Sequence, residues 1–344
     1  MMKKRISFLA KSILMTKWSN YTGTSGHDIV MYNLCKGLNK LGIDAAIGSF
    51  NLVENTTVGI KKVKLKKSPN IIPSGYSFDI IDNHETLLNF ASLFTKVPFL
   101  FHYHGSSTKI QELVLRLSLS LCKKRILKII AVSEPNFDEI KQSGIPSCII
   151  NNGVDTEFFK PNLDRPHVKG KPQLLYVGRL FKYKNIEKII STMPEILKLY
   201  PSAHLQIVGE GNDHQRLYQL IKSQNLEKNV ELVGKLNKEE LRYRYSSCDV
   251  FVSATKLEAM ELTPLEAMAC GKPVALYETK IHKEFLISSK AGKVFSSDDS
   301  RTMSKVIIKV YEDRSFSSFA RKGVEKNSWE HVCKKLALLY DEIL

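Results

Sequence analysis

Short apolar runs alternate with helical patterns along most of the chain. Strand-like runs at 6–10, 44–48, 78–82, 99–103 and 129–133 are followed, after a break, by others at 173–178, 204–209, 230–234, 250–254 and 274–277. Several are apolar nearly end to end, as strands covered by helices on both faces must be. Between them apolar positions recur at helical spacing, for example over 29–41, 186–200 and 213–225. This alternation predicts an α/β protein with doubly wound parallel sheets. The break at 151–172 holds Gly153, Pro161, Pro166, Gly170 and Pro172 and shows no periodic apolar pattern. It predicts a domain of residues 1–160, a linker at 161–172 and a second domain at 173–327. Two Rossmann-like domains of this kind are expected to face each other across a cleft, with ligands at the carboxyl ends of the strands.

The length of 344 residues suits two such domains. No apolar run reaches the ~18–20 residues of a membrane span. The stretch 113–130 comes nearest but is interrupted by Arg116, Lys123, Lys124, Arg125 and Lys128, and reads as an amphipathic segment or an ordinary core helix. The basic start MMKKRISFLAK is too short a run for a signal peptide and reads as a first strand. Six cysteines without a CxxC pair fit reduced thiols in a cytoplasmic protein. The net charge of +16 is uneven: residues 1–171 hold 24 Lys+Arg against 13 Asp+Glu, or +11, leaving +5 for the rest. A basic first half attracts something anionic. The run 61–67, KKVKLKK, carries no interleaved aromatic residue, so it reads as a solvated loop or an edge strand rather than a nucleic-acid surface.

Candidate chemistry lies where strands end. Gly26, His27 and Asp28 stand between a strand and a helix, where backbone N–H groups can approach an anion. His84 and His104 each follow a strand and would point at the same crevice. A metal at His102-Tyr103-His104 lacks a neighbouring acidic or cysteine ligand in sequence. In the second half Gly178-Arg179 closes a strand with Lys184 five residues on, a fork and a point charge suited to a diphosphate. Gly209 closes another strand. Leu262, Thr263 and Pro264 open a helix whose free N–H groups could meet an anion, with Glu258 in the loop before it and Glu266 one turn in.

Glu258 to Gly271, with two glutamates eight positions apart and a following AMACGKPV, resembles the paired-glutamate motif of family-4 retaining glycosyltransferases, the glycosyl transferases group 1. The likeness runs through Ser25-Gly26-His27-Asp28, 79–84, 102–105, 131–134, the linker stretch 151–155 with Phe158 and Pro161, 176–180 with Lys184, and Ser328-Trp329-Glu330. It implies a GT-B architecture with the nucleotide-sugar donor held by the second domain and a last helix, 328–344, crossing back to the first. It further implies that Arg179 and Lys184 bind the donor diphosphate, Glu266 the ribose and Glu258 the sugar. His104 would sit by sugar and acceptor, with Gly26, His27 and His84 on the acceptor side. No metal or other cofactor is expected, since basic side chains and helix dipoles would neutralise the diphosphate. The expected partners are a nucleotide sugar and a glycan or lipid-linked acceptor, with no nucleic acid, in the cytoplasm or at the inner face of an anionic membrane.

The chain departs from the family's pattern. Ala259-Met260-Glu261 replaces Gly-Phe-Gly, Ser25 and Asp28 stand for a Gly and a Glu, and Lys280-Ile281 for two glycines. A carboxylate at 261 repels a nearby diphosphate by ~1 kcal/mol or more. Glu261 is therefore expected to turn towards Lys256 or Lys280, or to contact a sugar hydroxyl; otherwise the protein is impaired or takes an unusual donor.

Overall fold

The computed structural model describes residues 8–18, 21, 25–51, 59–68, 70–106, 108–162, 168–256 and 261–344. The chain forms two compact units, Met1–Gly153 with Trp329–Leu344, and Val154–Ser328. The stretch expected as a linker, 161–172, falls inside the second of these.

Among the described residues the first unit is built on seven parallel strands: β1 (Ser12–Lys17), β2 (Asp44–Ser49), β3 (Lys61–Lys64), β4 (Ile80–Asn83), β5 (Phe99–Tyr103), β6 (Ile126–Ala131) and β7 (Ser147–Ile149), in the order β3-β2-β1-β4-β5-β6-β7. Helices α1 (Gly26–Lys40), α2 (Lys109–Cys122) and α3 (Glu134–Ile140) and a 3-10 stretch, Thr86–Phe94, connect them. Leu14, Ile81, Phe99, Phe101 and Ile129 form the core with Leu115 and Leu119 of α2. The expected first strand at 6–10 lies partly outside the described residues; at 8–10 no strand forms, Leu9 and Ala10 donate their N–H groups to the Asp341 carboxylate, and pairing begins at Ser12. The stretch 113–130 is likewise not one segment, because α2 ends at Cys122 and β6 starts at Ile126.

The C-terminal helix, Trp329–Ile343, belongs to this first unit and packs on α1. Its Trp329, Val332, Cys333, Leu336 and Tyr340 are buried. Contact is close at Gly37, where a Cβ would overlap the Cys333 sulfur.

The second unit holds six parallel strands: β8 (Gln173–Val177), β9 (His204–Val208), β10 (Val230–Gly234), β11 (Val250–Ser253), β12 (Val274–Tyr277) and β13 (Gly292–Phe295), ordered β10-β9-β8-β11-β12-β13. Among the described residues eight α-helices accompany them: α4 (Ile186–Ile190), α5 (Met193–Leu199), α6 (His214–Ser223), α7 (Lys238–Ser247), α8 (Leu262–Ala269), α9 (Lys280–Ser289), α10 (Ser300–Glu312) and α11 (Ser315–Val324). The single helical pattern read over 186–200 is two helices, since Pro194 begins a new one at α5. Two apolar clusters, one with Leu174, Ile207 and Val250 and one with Leu175, Phe251 and Leu276, line the two faces of the sheet.

Gly37→Val would force the C-terminal helix off its seat. We expect a loss of about 1–3 kcal/mol, measured as an earlier denaturant midpoint of Trp329 fluorescence. An unchanged midpoint would show that the helix is not held by this contact.

Candidate active site

In each sheet the strand order reverses beside the unit's first strand, between β1 and β4 and between β8 and β11. Connections leaving neighbouring strands there run to opposite faces and open a crevice at the carboxyl ends. The expected site residues gather at these two places.

In the second unit Gly178 and Arg179 leave β8. The Gly178 N–H donates to the Val208 carbonyl and the Gly209 N–H to the Gly234 carbonyl, so successive strand ends lie edge to edge. Gly209 has φ +139°, and a Cβ there would overlap the Gly178 carbonyl oxygen, which leaves glycine as the residue that fits. Arg179 is exposed, with its guanidinium 5.1 Å from the Phe181 ring centroid and 2.9 Å from the Tyr183 hydroxyl. Lys184, by contrast, is buried, and its Nζ lies 3.3 Å from Glu261 Oε1.

Glu261 precedes α8 but does not cap it. Its side chain is buried; Oε2 accepts from the Ser253 hydroxyl at 2.9 Å and lies 3.8 Å from His282 Nε2. Burial alone would raise its pKa. The Lys184 and His282 charges and the hydroxyls of Thr255 and Ser253 outweigh burial and hold it below the ordinary glutamate value. The partner is therefore neither Lys256 nor Lys280. Lys256 pairs with Asp298 at 2.7 Å, and Lys280 is exposed. An exposed ammonium can be served by water, whereas the buried Lys184 needs a counter-charge.

Glu266, one turn into α8, is half-buried and accepts from the Tyr245 hydroxyl at 2.7 Å. Burial pushes its pKa up to about 7 against the opposing pull of the Tyr245 hydrogen bond and Lys238. Leu262 and Thr263 are the first two residues of α8. Glu258 lies outside the described residues.

In the first unit Ser25 caps α1, and its hydroxyl and the Asp28 carboxylate close a capping box. Asp28 is also paired with Lys17 from the end of β1 at 2.6 Å, both side chains buried. A Cβ on Gly26 would meet nothing within 4 Å among the described residues. His84 and His104 come together as their strand-end positions suggest, with Nδ1 of one 2.9 Å from Nε2 of the other. His27 meets His104 edge-on at 4.2 Å. Burial pushes the His27 pKa down to about 4, helped by Lys17, and burial lowers His84 and His104 as well.

The pattern reading gave Asp82 no role and weighed His102 only as a metal ligand; both lie inside strands. Asp82 Oδ2 accepts from the Tyr340 hydroxyl at 2.7 Å and lies 3.4 Å from His102 Nδ1. An acid within the apolar run IIDN was the available signal, since a buried carboxylate demands a donor. Burial opposes its ionisation, but His102, His84 and Tyr340 bring its pKa down to about 2. Asp82, His84 and His102 each offer a ligand atom within 4.8 Å of the others. The His84 and His102 rings are stacked 4.6 Å apart, which suits a hydrogen-bonded carboxylate better than two lone pairs converging on one ion.

Two parallel Rossmann-like sheets with these switch-point loops define a GT-B protein. The family model of the glycosyl transferases group 1 matches residues 158–327, most of the second unit, and the chain is a glycosyltransferase. It is 22% identical over 303 residues, 86% of this chain and 67% of the relative, to one component of the phosphatidylinositol N-acetylglucosaminyltransferase of Arabidopsis thaliana. Among similar curated relatives the matched share of their own length ranges from 31% to 67%. Among solved structures, sucrose-phosphate synthase from Thermosynechococcus elongatus aligns over 97% of this chain and 99% of its own, with TM-score 0.82 and 18% identity. Anabaena HepE in complex with UDP-glucose aligns over 96% and 99%, with TM-score 0.80 and 18% identity. At such identities the likeness establishes the fold.

The buried pair is open to a double-mutant cycle. Glu261→Leu or Lys184→Met alone should cost about 3–5 kcal/mol, and the double variant should recover most of it. Additive losses in calorimetry would show that the two charges do not depend on each other.

His27 makes a second, pH-dependent case. Its folded pKa of about 4 lies below the ordinary 6.5, so its contribution is complete above pH 6.5 and lost as pH falls towards 4. Both tryptophans, Trp18 and Trp329, lie in the first unit and report on it. Acidification from pH 6.5 to 4 should lower that unit's stability, with about 3 kcal/mol of the loss from His27 and the rest from groups such as His84 and His104, read by tryptophan fluorescence in urea. His27→Gln should make the dependence shallower by that share; an unaltered slope would remove His27 as a source.

Proposed function

We propose that the chain transfers a hexose from a nucleoside-diphosphate sugar to a glycan or lipid-linked acceptor, with retention and without a metal ion. One observation carries this reading: the Arg179 fork, Lys184 and the N-terminus of α8 gather at the strand-order reversal of the unit that matches the family. In this reading Arg179, Lys184 and the first N–H groups of α8, at Leu262 and Thr263, take the diphosphate and stabilise its charge as the glycosidic bond breaks. Gly178 and Gly209, held as glycine by neighbouring protein atoms, form the strand ends against which the donor lies. Glu266 accepts from the ribose hydroxyls, Glu258 holds the sugar, and His104, with Gly26, His27 and His84, serves the acceptor side. Same-face attack with the leaving phosphate oxygen as base gives retention.

The HepE complex supports a nucleotide-sugar donor, and the name of the Arabidopsis relative supports a lipid-borne acceptor. No helix among the described residues is long and apolar enough to cross a membrane, so the proposed place of work is the cytoplasm or the face of a membrane. A second reading, nucleotide-sugar binding without transfer, is favoured by Glu261, whose carboxylate already engages Lys184.

The readings separate in one experiment. A thermal-shift screen over UDP-, GDP- and ADP-sugars identifies the donor, and turnover is then measured for Arg179→Ala and Glu266→Ala. Loss of about 10²-fold or more in kcat/KM in each is expected for an enzyme. Tight donor binding with no turnover under any condition supports the second reading, and unchanged turnover in both variants overturns the site.

A further inference from the structure

Helix α2 carries two apolar faces. Leu115, Ser118, Leu119 and Cys122 are buried against the sheet and the 3-10 stretch Thr86–Phe94. Ile110, Leu113, Leu117 and Leu121 stand on the other side with relative exposures of 74%, 67%, 53% and 58%. At 3.6 residues per turn these four fall within an arc of roughly 80°. A helix needs one apolar stripe to join a core; a second, turned to solvent, has no such use and marks an interaction surface. The neighbouring 3-10 stretch adds Leu93 and Phe94, 43% and 57% exposed. Arg125 fastens the two elements by donating to the Ser92 and Thr95 carbonyls.

Charge selects the occupant. Lys109 and Arg116 are exposed on one flank of the outer stripe by the same helical arithmetic, and the exposed Lys123 and Lys124 follow the end of the helix beyond Leu121; against these four cations the helix has one acid, Glu112, on the flank of Arg116. We infer that this face of α2 docks on an anionic lipid bilayer, with the leucines in the headgroup boundary and the basic flank over lipid phosphates. A second copy of the chain would bring the same basic flank against itself, which disfavours self-association. The inference deepens the proposed lipid-linked acceptor but does not depend on transfer, because docking is read without turnover.

The test is flotation of the full chain with vesicles of phosphatidylglycerol in phosphatidylcholine and with pure phosphatidylcholine. Binding to the anionic vesicles, weakened by salt, is expected. Leu113→Glu/Leu117→Glu and Arg116→Gln/Lys123→Gln/Lys124→Gln should each reduce it at least about tenfold. All five positions are exposed, so both variants should keep the wild-type melting temperature. No binding by the wild type, or undiminished binding by either variant, overturns the inference. A concentration-dependent dimer that Leu117→Glu dissociates, with no vesicle binding, assigns the face to a second copy and overturns it equally.

Discussion

A buried charge must be answered, and in both units the answer ties a lysine following the first strand to a carboxylate at a helix N-terminus. Lys17 at the end of β1 meets Asp28 in the first turn of α1, and Lys184 beyond β8 meets Glu261 before α8. Removing one partner of such a pair leaves an uncompensated charge, so the first pair ties the end of β1 to the first turn of α1, and the second ties the segment after β8 to the start of α8. These ends lie at the strand-order reversal of each sheet. The positions of Gly26, Arg179 and the α8 N-terminus therefore depend on two ion pairs as much as on the sheets.

The sheet interiors were legible because strands covered on both faces are apolar throughout. The runs at 99–103 and 274–277 coincide with β5 and β12. Two edges were not. β7 and β13 are short and half-exposed, with no continuous apolar run to mark them. The basic run at 61–67 holds β3 at the sheet edge, where alternating lysines face water and blunt further pairing. Paired strand ends brought His84 and His104 together as their spacing implied. The identity of Glu261's partner was hidden for a different reason. Sequence distance favours lysines nearby, whereas burial decides, and burial depends on how β8 and β11 pair.

The carboxyls of the second unit show how environment divides like groups. Glu261 is buried among cations and hydroxyl donors and is held ionised. Glu266 is in contact with one phenol and has a pKa of about 7. A ribose donates hydrogen bonds, and an ionised carboxylate accepts them best. Binding a ribose at Glu266 would therefore favour the ionised form and strengthen as pH rises through 7. Such coupling separates a ribose contact from a purely structural glutamate, which would show none.

Glu261 also alters the charge available to a diphosphate. Drawing it out of its pocket would strip Lys184, Ser253 and His282 of an acceptor at once, a cost well above that of an exposed ion pair. The economical arrangement keeps Glu261 in place. An ammonium has three donors, so Lys184 can hold a carboxylate and still turn one N–H to a phosphate oxygen. It would then act as a positioned hydrogen-bond donor more than as a free positive charge. The net attraction for the leaving phosphate would fall more heavily on Arg179 and on the N–H groups of α8, whose geometry Glu261 fixes by anchoring the residue before the helix. In the proposed site the carboxylate that replaces the family's glycine would thus lower the field at the diphosphate and stiffen the start of α8 in the same step.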